Sequence, residues 1–279
     1  AASDVYKRQQ LAERVGDADA VLCNKTPIPA ELFDQCPNLR YVGECATGYN
    51  NIDIAAAKAH GVTVCNVGGY STDAVAQHTF AMLFYLLEKL PYYDRYVKDE
   101  KYIGDKMFTH FDKHFGELAK MTWGIIGLGN IGRRVADIAK AFGCRVIYYS
   151  TSGRNSQPGY ERVSFEELLK ESDIVSVHAP LDENTLDLMN KEAFHQMKKT
   201  AIFLNLGRGP IVVEEDLAEA LEQGEIAAAG LDVLWVEPMS PENPLRRIKD
   251  SEKLLITPHI AWASVEARTC LLYTSDAAD

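Results

Sequence analysis

Residues 124–134 read GIIGLGNIGRR and place Gly127, Gly129 and Gly132 in the order GxGxxG. An apolar run typical of a buried strand precedes the glycines, and the apolar spacing over 130–142 predicts a helix after them. Glycines in this order permit a tight turn and close approach of the backbone to a pyrophosphate, which a helix N-terminus attracts. The stretch therefore predicts a dinucleotide-binding turn. A P-loop is excluded because no Gly-Lys-Ser/Thr follows.

Short apolar runs alternate with helical patterns downstream of residue 121, which predicts an α/β fold with a doubly wound parallel sheet. The earlier part of the chain predicts a smaller α/β unit. A long helical pattern over 71–98 connects the two, and we expect its apolar stripe at 80–87 to pack against another helix or a second subunit. The predicted strands are 17–25, 39–48 and 61–67 in the smaller unit and 122–127, 145–149, 173–179, 201–206, 227–233 and 254–258 in the larger one, with helices over 130–142, 164–171, 190–199 and 214–223.

The overall charge argues against a surface that binds nucleic acid or anionic membranes, because 40 acidic residues outnumber 29 basic ones and the formal net charge is −11. The longest apolar stretches are too short for a membrane-spanning helix. Six scattered cysteines without a CxxC pair favour reduced thiols and a cytoplasmic location. His110 and His114 are four residues apart, but without a third ligand we expect no metal.

The loop after the second strand of the larger unit bears on the choice of cofactor. A carboxylate about 20 residues after the glycine turn would accept hydrogen bonds from the ribose of NAD. Here the position holds Ser150, and Thr151, Ser152 and Arg154 follow. Hydroxyls and a guanidinium would bind a 2′-phosphate that a carboxylate would repel. The sequence therefore favours NADP over NAD, although an ordinary polar turn has the same composition.

Three polar residues follow the predicted strands of the second half of the larger unit: Arg208, Glu237 and His259. Because the carboxyl ends of parallel strands lie at one edge of a sheet, we expect these residues to converge. The guanidinium suits a carboxylate and an adjacent carbonyl oxygen, and the imidazole can exchange a proton with that oxygen. Glu237 would bond to the other ring nitrogen and set the tautomer. Singly they could be a cap, a turn residue and a surface histidine; together, behind a dinucleotide turn, they favour catalysis.

Four motifs in this order, GLGNIG (127–132), NLGRGP (205–210), GLDVLWVEP (230–238) and TPHIAWAS (257–264), resemble the D-2-hydroxyacid dehydrogenase family and, within it, glycerate dehydrogenases, also called hydroxypyruvate or glyoxylate reductases. The resemblance implies a Rossmann domain, a flavodoxin-like substrate domain formed by both chain ends, and a homodimer. The domains implied are 1–96 for the first part of the substrate domain, 97–262 for the NAD(P)-binding domain and 263–279 for the return. We expect the fold to be truncated at both ends, with 1–10 and 270–279 foreign to it.

The activity implied is the interconversion of a small 2-keto acid, hydroxypyruvate or glyoxylate, and its D-2-hydroxy acid, with Arg208, Glu237 and His259 as the catalytic trio. Phosphoglycerate dehydrogenases carry an arginine where this chain has Glu44, whose carboxylate would repel a phosphate. A nucleotide-sensing corepressor or scaffold on the same fold, and an inactive fragment, are the alternatives. The cofactor contacts predicted are Thr79, Gly127, Gly129, Asn130, Ile131, Gly132, Ser150, Thr151, Ser152, Arg154, Leu206, Gly207, Asp232 (the carboxamide partner) and Ala261; those to substrate are Thr47, Gly48 and Lys25, the last equally consistent with a solvated loop lysine.

Overall fold

The smaller of two structural units holds a three-stranded parallel sheet in the order β1-β2-β3. The structure is a computed structural model that describes residues 10–154 and 156–276. Buried apolar residues such as Leu32, Phe33 and Val42 form the core of this unit. Its first elements are α1 (Leu11–Val15), β1 (Ala20–Cys23), α2 (Ala30–Gln35), β2 (Tyr41–Glu44), α3 (Ile54–Ala59) and β3 (Thr63–Asn66).

Two helices, α4 (Thr72–Leu87) and α5 (Leu90–Lys98), replace the single helix predicted over 71–98. The break has a local cause: Lys89 has a left-handed φ of 55°, and Pro91 lies in the first turn of α5. A proline is tolerated there but not in a helix interior, where it would leave a carbonyl without its donor.

The apolar stripe of α4 packs against its own unit, since the Phe80 and Trp123 ring centroids lie 4.8 Å apart and Leu83 is fully buried. This packing explains why α4 belongs to the larger unit, Ser71–Ala263, which also includes α5. The smaller unit comprises the chain up to Tyr70 and from Ser264 onward. The first boundary between the units therefore lies at 70/71, well before the predicted 96/97. The second lies at 263/264, one residue after the predicted 262/263.

The larger sheet contains seven parallel strands in the order β10-β9-β8-β7-β4-β5-β6, which confirms the predicted doubly wound fold. The edge strand β6 was not predicted, because two residues are too few to show a strand period. The remaining elements are β4 (Thr122–Ile126), α6 (Asn130–Ala141), β5 (Arg145–Tyr149), β6 (Glu161–Arg162), α7 (Phe165–Glu171), β7 (Ile174–Val177), α8 (Lys191–Gln196), β8 (Ile202–Asn205), α9 (Glu214–Gln223), β9 (Ala228–Leu231), β10 (Leu254–Ile256) and α10 (Val265–Asp276).

Neighbouring residues of the central strands enter opposite cores. Ile125 and Leu204 pack on one face of the sheet, whereas Ile126 and Phe203 pack on the other. A parallel sheet covered on both faces needs such continuous apolar runs. Strand order reverses between β4 and β7, and ligands bind at such a switch point, outside the carboxyl ends of the strands.

α10 returns the chain to the smaller unit, and residues 270–276, expected to be foreign, continue this helix. Residues 1–9 and 277–279, which were also expected to be foreign to the fold, lie outside the described residues.

Candidate active site

The glycine turn lies directly after β4 and begins α6 at Asn130. Gly127 has φ +91°, and a Cβ there would lie 2.9 Å from the backbone of Ala179. A Cβ on Gly132 would lie 2.2 Å from the carbonyl oxygen of Gly127, so this glycine allows the helix to pack against the turn. A Cβ on Gly129, in contrast, would meet nothing within 4 Å. The open space at Gly129, beside the N-terminus of α6, fits the pyrophosphate of a dinucleotide.

The loop after β5 presents polar side chains and, in the described part of it, no carboxylate. Ser150 is 4% exposed, whereas Ser152 and Arg154 are exposed. The hydroxyl of Ser152 accepts from the backbone N–H of Arg154 at 3.3 Å. A Cβ on Gly153 would lie 4.0 Å from a guanidinium nitrogen of Arg162. Arg162, on β6, therefore places a second cation beside the loop. The sequence did not point to Arg162, because β6 was not predicted.

His259 and Glu237 are in direct contact. Nδ1 of His259 and Oε2 of Glu237 are 2.6 Å apart. Since a carboxylate only accepts hydrogen bonds, Nδ1–H donates and Nε2 remains for proton exchange. The other oxygen of Glu237 accepts from the backbone N–H of Leu234 at 2.9 Å, which orients the carboxylate.

Asp232 fixes the backbone around His259. Its side chain is 1% exposed, and Oδ1 accepts from the Thr257 hydroxyl at 2.6 Å and from the backbone N–H of Ile260 at 2.8 Å. Oδ2 accepts from the backbone N–H of Ala261 at 2.9 Å. These bonds hold both sides of His259, whose φ of 54° is left-handed. The sequence pointed to Asp232 as a carboxamide partner, but this anchoring depends on a loop conformation that no motif specifies.

Arg208 follows β8 in an extended conformation, one strand removed from the loop of Glu237. Buried Asn205 orients the turn: Nδ2 donates to the carbonyl of Arg208 at 2.9 Å and Oδ1 accepts from Gly207 N–H at 3.0 Å. Nη1 of Arg208 donates to the carbonyl of Gly207 at 2.8 Å. A Cβ on Gly209 would lie 1.9 Å from the carbonyl of Leu234. The Arg208 turn therefore packs directly against the loop that carries Glu237.

Glu214, at the start of α9, is a further residue that the sequence analysis missed. Its carboxylate accepts from the backbone N–H of Trp235 and from Nδ2 of Asn243, both at 2.8 Å. Burial raises the pKa of Glu214, and the neighbouring Glu237 carboxylate adds to that rise. From sequence alone it resembles any acidic residue in the first turn of a helix, which is why no signal singled it out.

The other predicted cofactor residues differ in their exposure. Thr79 is buried, and its hydroxyl donates to the carbonyl of Val75 at 2.8 Å inside α4. Leu206 and Ala261 are buried, while Ile131 and Gly207 are partly exposed.

His178 follows β7, and its burial lowers the pKa of the imidazole to about 3, so the ring is neutral.

The predicted substrate residues belong to the smaller unit. Lys25 lies two residues after the end of β1 and adopts a left-handed φ of 58°. The carbonyl of Thr47 accepts from Nδ2 of Asn66 at 2.7 Å. Within residues 10–154 and 156–276, no acceptor lies within hydrogen-bonding geometry of the backbone N–H groups of Thr47 and Gly48. Two adjacent backbone donors of this kind suit an anion.

Two classes of site are not found in the part of the chain that the structure describes. It contains no group of three or more His, Cys, Asp or Glu side chains that could hold a metal ion. Nor does any helix within it have the length and apolar character needed to cross a membrane.

The chain is similar to dehydrogenases and reductases of known sequence and structure. Residues 80–261 match the NAD-binding domain of D-isomer specific 2-hydroxyacid dehydrogenases. A hydroxypyruvate reductase of Blautia hydrogenotrophica is 40% identical over 96% of this chain and 85% of that protein. A glyoxylate reductase of Korarchaeum cryptofilum is 40% identical over 94% and 79%. An acyclic imino acid reductase, solved in complex with NADPH and D-arginine, has a TM-score of 0.88 and 30% identity over 97% and 84% of the two chains.

A doubly wound sheet with a glycine turn at its switch point and a histidine–carboxylate pair after neighbouring strands is suited to a nicotinamide-dependent dehydrogenase. The chain belongs to the family of D-isomer specific 2-hydroxyacid dehydrogenases, which confirms the resemblance of its motifs. It is an NAD(P)-dependent oxidoreductase.

The glycine turn gives a prediction with an internal control. Gly129→Ala adds a methyl group only to open space, so it should leave the thermal midpoint unchanged while weakening NADPH binding about tenfold or more, or ~1.4 kcal/mol. Gly132→Ala should instead lower the midpoint, because its Cβ would lie 2.2 Å from the carbonyl of Gly127. Differential scanning fluorimetry and calorimetric titration check both. Unaltered NADPH affinity in Gly129→Ala would place the pyrophosphate elsewhere.

Proposed function

We propose that the protein reduces a small unphosphorylated 2-keto acid, hydroxypyruvate or glyoxylate, to its D-2-hydroxy acid, with His259 as the acid and base. The observation that carries the proposal is the 2.6 Å contact between Nδ1 of His259 and Oε2 of Glu237, because it places a ring proton on Nδ1 and makes Nε2 the atom that exchanges a proton with the substrate oxygen. Relatives named hydroxypyruvate reductase and glyoxylate reductase support this substrate class.

His259, as the imidazolium, donates its Nε2 proton to the keto oxygen, and Glu237 stabilises the positive charge of the ring before the transfer. In the reverse direction the neutral ring takes the hydroxyl proton. Arg208 binds the substrate carboxylate and polarises the keto oxygen with its planar fork of donors. The nicotinamide, when bound, supplies the hydride for reduction. Leu206 and Gly207, on the turn after β8, would line the nicotinamide, and Asp232 would accept from its carboxamide.

We propose that the backbone N–H groups of Thr47 and Gly48, with Lys25, also bind the substrate carboxylate. The support is the orientation of the 45–48 loop, in which Asn66 holds the carbonyl of Thr47 and the two N–H groups have no acceptor among the residues that the structure describes. A keto acid has one carboxylate and no phosphate, so these donors match its charge.

NADP is the cofactor we propose over NAD. The pyrophosphate would bind at Gly127, Gly129 and Gly132 with the adjacent backbone of Asn130 and Ile131, and Thr79 and Ala261 would line the cofactor. The loop from Ser150 to Ser152, with Arg154, would bind the 2′-phosphate, and the nearby guanidinium of Arg162 would add positive charge. The similar imino acid reductase was solved with NADPH.

The protein is proposed to act as a homodimer in the cytoplasm. A segment of the larger unit exposes large apolar side chains: Ile103 is 75% exposed, Phe108 92% and Phe111 61%. Large apolar side chains exposed close together in the chain are a feature of surfaces that a partner covers, and we propose a second copy as that partner. No disulfide joins the cysteines of the described residues, which fits a reducing compartment.

The catalytic proposal is tested with His259→Ala. Turnover of hydroxypyruvate or glyoxylate, followed by NADPH absorbance, should fall about 10²- to 10⁴-fold, because a positioned acid contributes that much, while NADPH affinity stays unchanged. His195→Ala is the matched control, since His195 and Glu225 form a second pair, at 3.4 Å, in a different part of the larger unit. Equal loss in both variants would contradict the role of His259. A wild-type enzyme that oxidises neither NADPH nor NADH with any keto acid would favour the corepressor or inactive alternative.

Cofactor choice is tested with Arg154→Ala. Removing the guanidinium should weaken NADPH binding about tenfold and leave NADH within about threefold, because only NADPH carries the 2′-phosphate. Arg246→Ala, on an exposed turn after Asn243, serves as the control. A wild-type enzyme that binds NADH more tightly than NADPH would overturn the assignment.

The dimer is tested with Phe108→Glu. A charge placed in an apolar interface is costly to bury, so sedimentation should show a shift from dimer to monomer. Leu186→Glu, a comparable change at another exposed position of the same unit, should leave the dimer intact. A wild-type chain that sediments as a monomer at micromolar concentration would contradict the proposal.

A further inference from the structure

A buried carboxylate lies at the base of the loops that carry the predicted substrate residues. Glu44 is the last residue of β2, and its side chain is 1% exposed. Oε1 accepts from the backbone N–H of Lys25 at 3.0 Å. Oε2 accepts from Sγ of Cys23 at 3.1 Å and from Nδ2 of Asn51 at 2.9 Å. A charge removed from water is costly unless hydrogen bonds satisfy it, and both oxygens are satisfied here.

The bonds to Glu44 fix an unusual backbone conformation. Lys25 is a non-glycine residue with φ 58°, a region that side chains disfavour, and its N–H is bonded to Oε1. Asn51, held by Oε2, donates through the same nitrogen to the carbonyl of Thr26 at 2.8 Å. Glu44 therefore fixes the turn after β1 directly through Lys25 and indirectly through Asn51.

The second loop continues from Glu44 itself. Cys45 donates its N–H to the carbonyl of Cys23 at 2.7 Å, and its own carbonyl accepts from Nδ2 of Asn24 at 3.2 Å. These bonds tie the start of the 45–48 loop to the turn that contains Lys25. The backbone donors of Thr47 and Gly48 follow two residues later. One carboxylate thus sits at the junction of both loops.

The three hydrogen bonds to Glu44 require a side chain that only accepts hydrogen bonds. The backbone N–H of Lys25 and the amide NH₂ of Asn51 can only donate. Burial, and then the bond to Glu44, raises the pKa of the Cys23 thiol, so the thiol keeps its proton and donates as well. A glutamine in place of Glu44 would turn an NH₂ group towards at least one donor and leave it without an acceptor.

We infer that Glu44 is a positioning residue for the substrate carboxylate: its buried, acceptor-only side chain sets the turn of Lys25 and the adjoining 45–48 loop. The inference rests on the proposed function. The contacts of Glu44 also show how this residue would affect the choice of substrate. The sequence predicts direct repulsion of a phosphate by the carboxylate. In the structure the carboxylate faces three hydrogen-bond donors inside its own unit, so its effect on the substrate would be indirect, through the two loops.

The test is Glu44→Gln, assayed with hydroxypyruvate or glyoxylate. The expected result is a KM raised about tenfold, a kcat within about threefold and an unchanged Kd for NADPH, whose glycine turn lies in the other unit. Glu44→Asp, which keeps an acceptor-only group, should recover part of the KM. Cys23→Ala removes one donor and leaves none unsatisfied, so its KM should stay within about threefold of wild type. A purely structural effect would instead lower the concentration of active enzyme, seen as a lower apparent kcat at constant KM, and would overturn the inference.

Calorimetric binding of oxalate, a dicarboxylate that is not reduced, separates this inference from the proposed function. Weaker oxalate binding by Glu44→Gln supports the inference, and equal affinity in both proteins contradicts it. A wild type that binds oxalate but reduces no keto acid contradicts the proposed function alone. A wild type that does neither contradicts both.

Discussion

The hydrogen bond from Nδ1 of His259 to Oε2 of Glu237, at 2.6 Å, joins the loops that follow β10 and β9. Because it places a ring proton on Nδ1, it makes Nε2 the atom that exchanges a proton with the substrate. The surrounding backbone is arranged to hold this pair. Leu234 N–H orients the carboxylate of Glu237, and buried Asp232 accepts three hydrogen bonds from the residues around His259. Without these supports the imidazole could rotate away from its partner, and its tautomer would no longer be set.

The parallel sheet brings such distant residues together. Every strand of the larger sheet runs in the same direction, so the glycine turn, Arg208, Glu237 and His259 all follow strand carboxyl ends. The smaller unit uses the same principle on a reduced scale, because Glu44 is the last residue of β2 and the loops with Lys25 and Thr47 follow the ends of β1 and β2. In both units a carboxylate with several donors, Asp232 or Glu44, holds a left-handed residue in place.

Helices and strands with regularly spaced apolar residues were the most predictable from sequence. The predicted strand over 145–149 and helix over 214–223 match β5 and α9. The helix predicted over 71–98 was wrong in one respect, since a left-handed Lys89 divides it. The contact between Glu237 and His259 could be predicted because strand ends and residue types suffice. The hydrogen bonds of Asp232, Glu214 and Glu44 could not be predicted. They depend on loop conformations that bring together residues far apart in the chain.

The most direct test is the tautomer of His259, read from ¹⁵N chemical shifts of the protein labelled in its seven histidines. His259→Asn assigns the resonance by its disappearance. In the neutral ring, the contact with Glu237 requires the proton on Nδ1 and a lone pair on Nε2. A neutral His259 with its proton on Nε2 would show that Glu237 does not determine the tautomer of the ring and would contradict its proposed role.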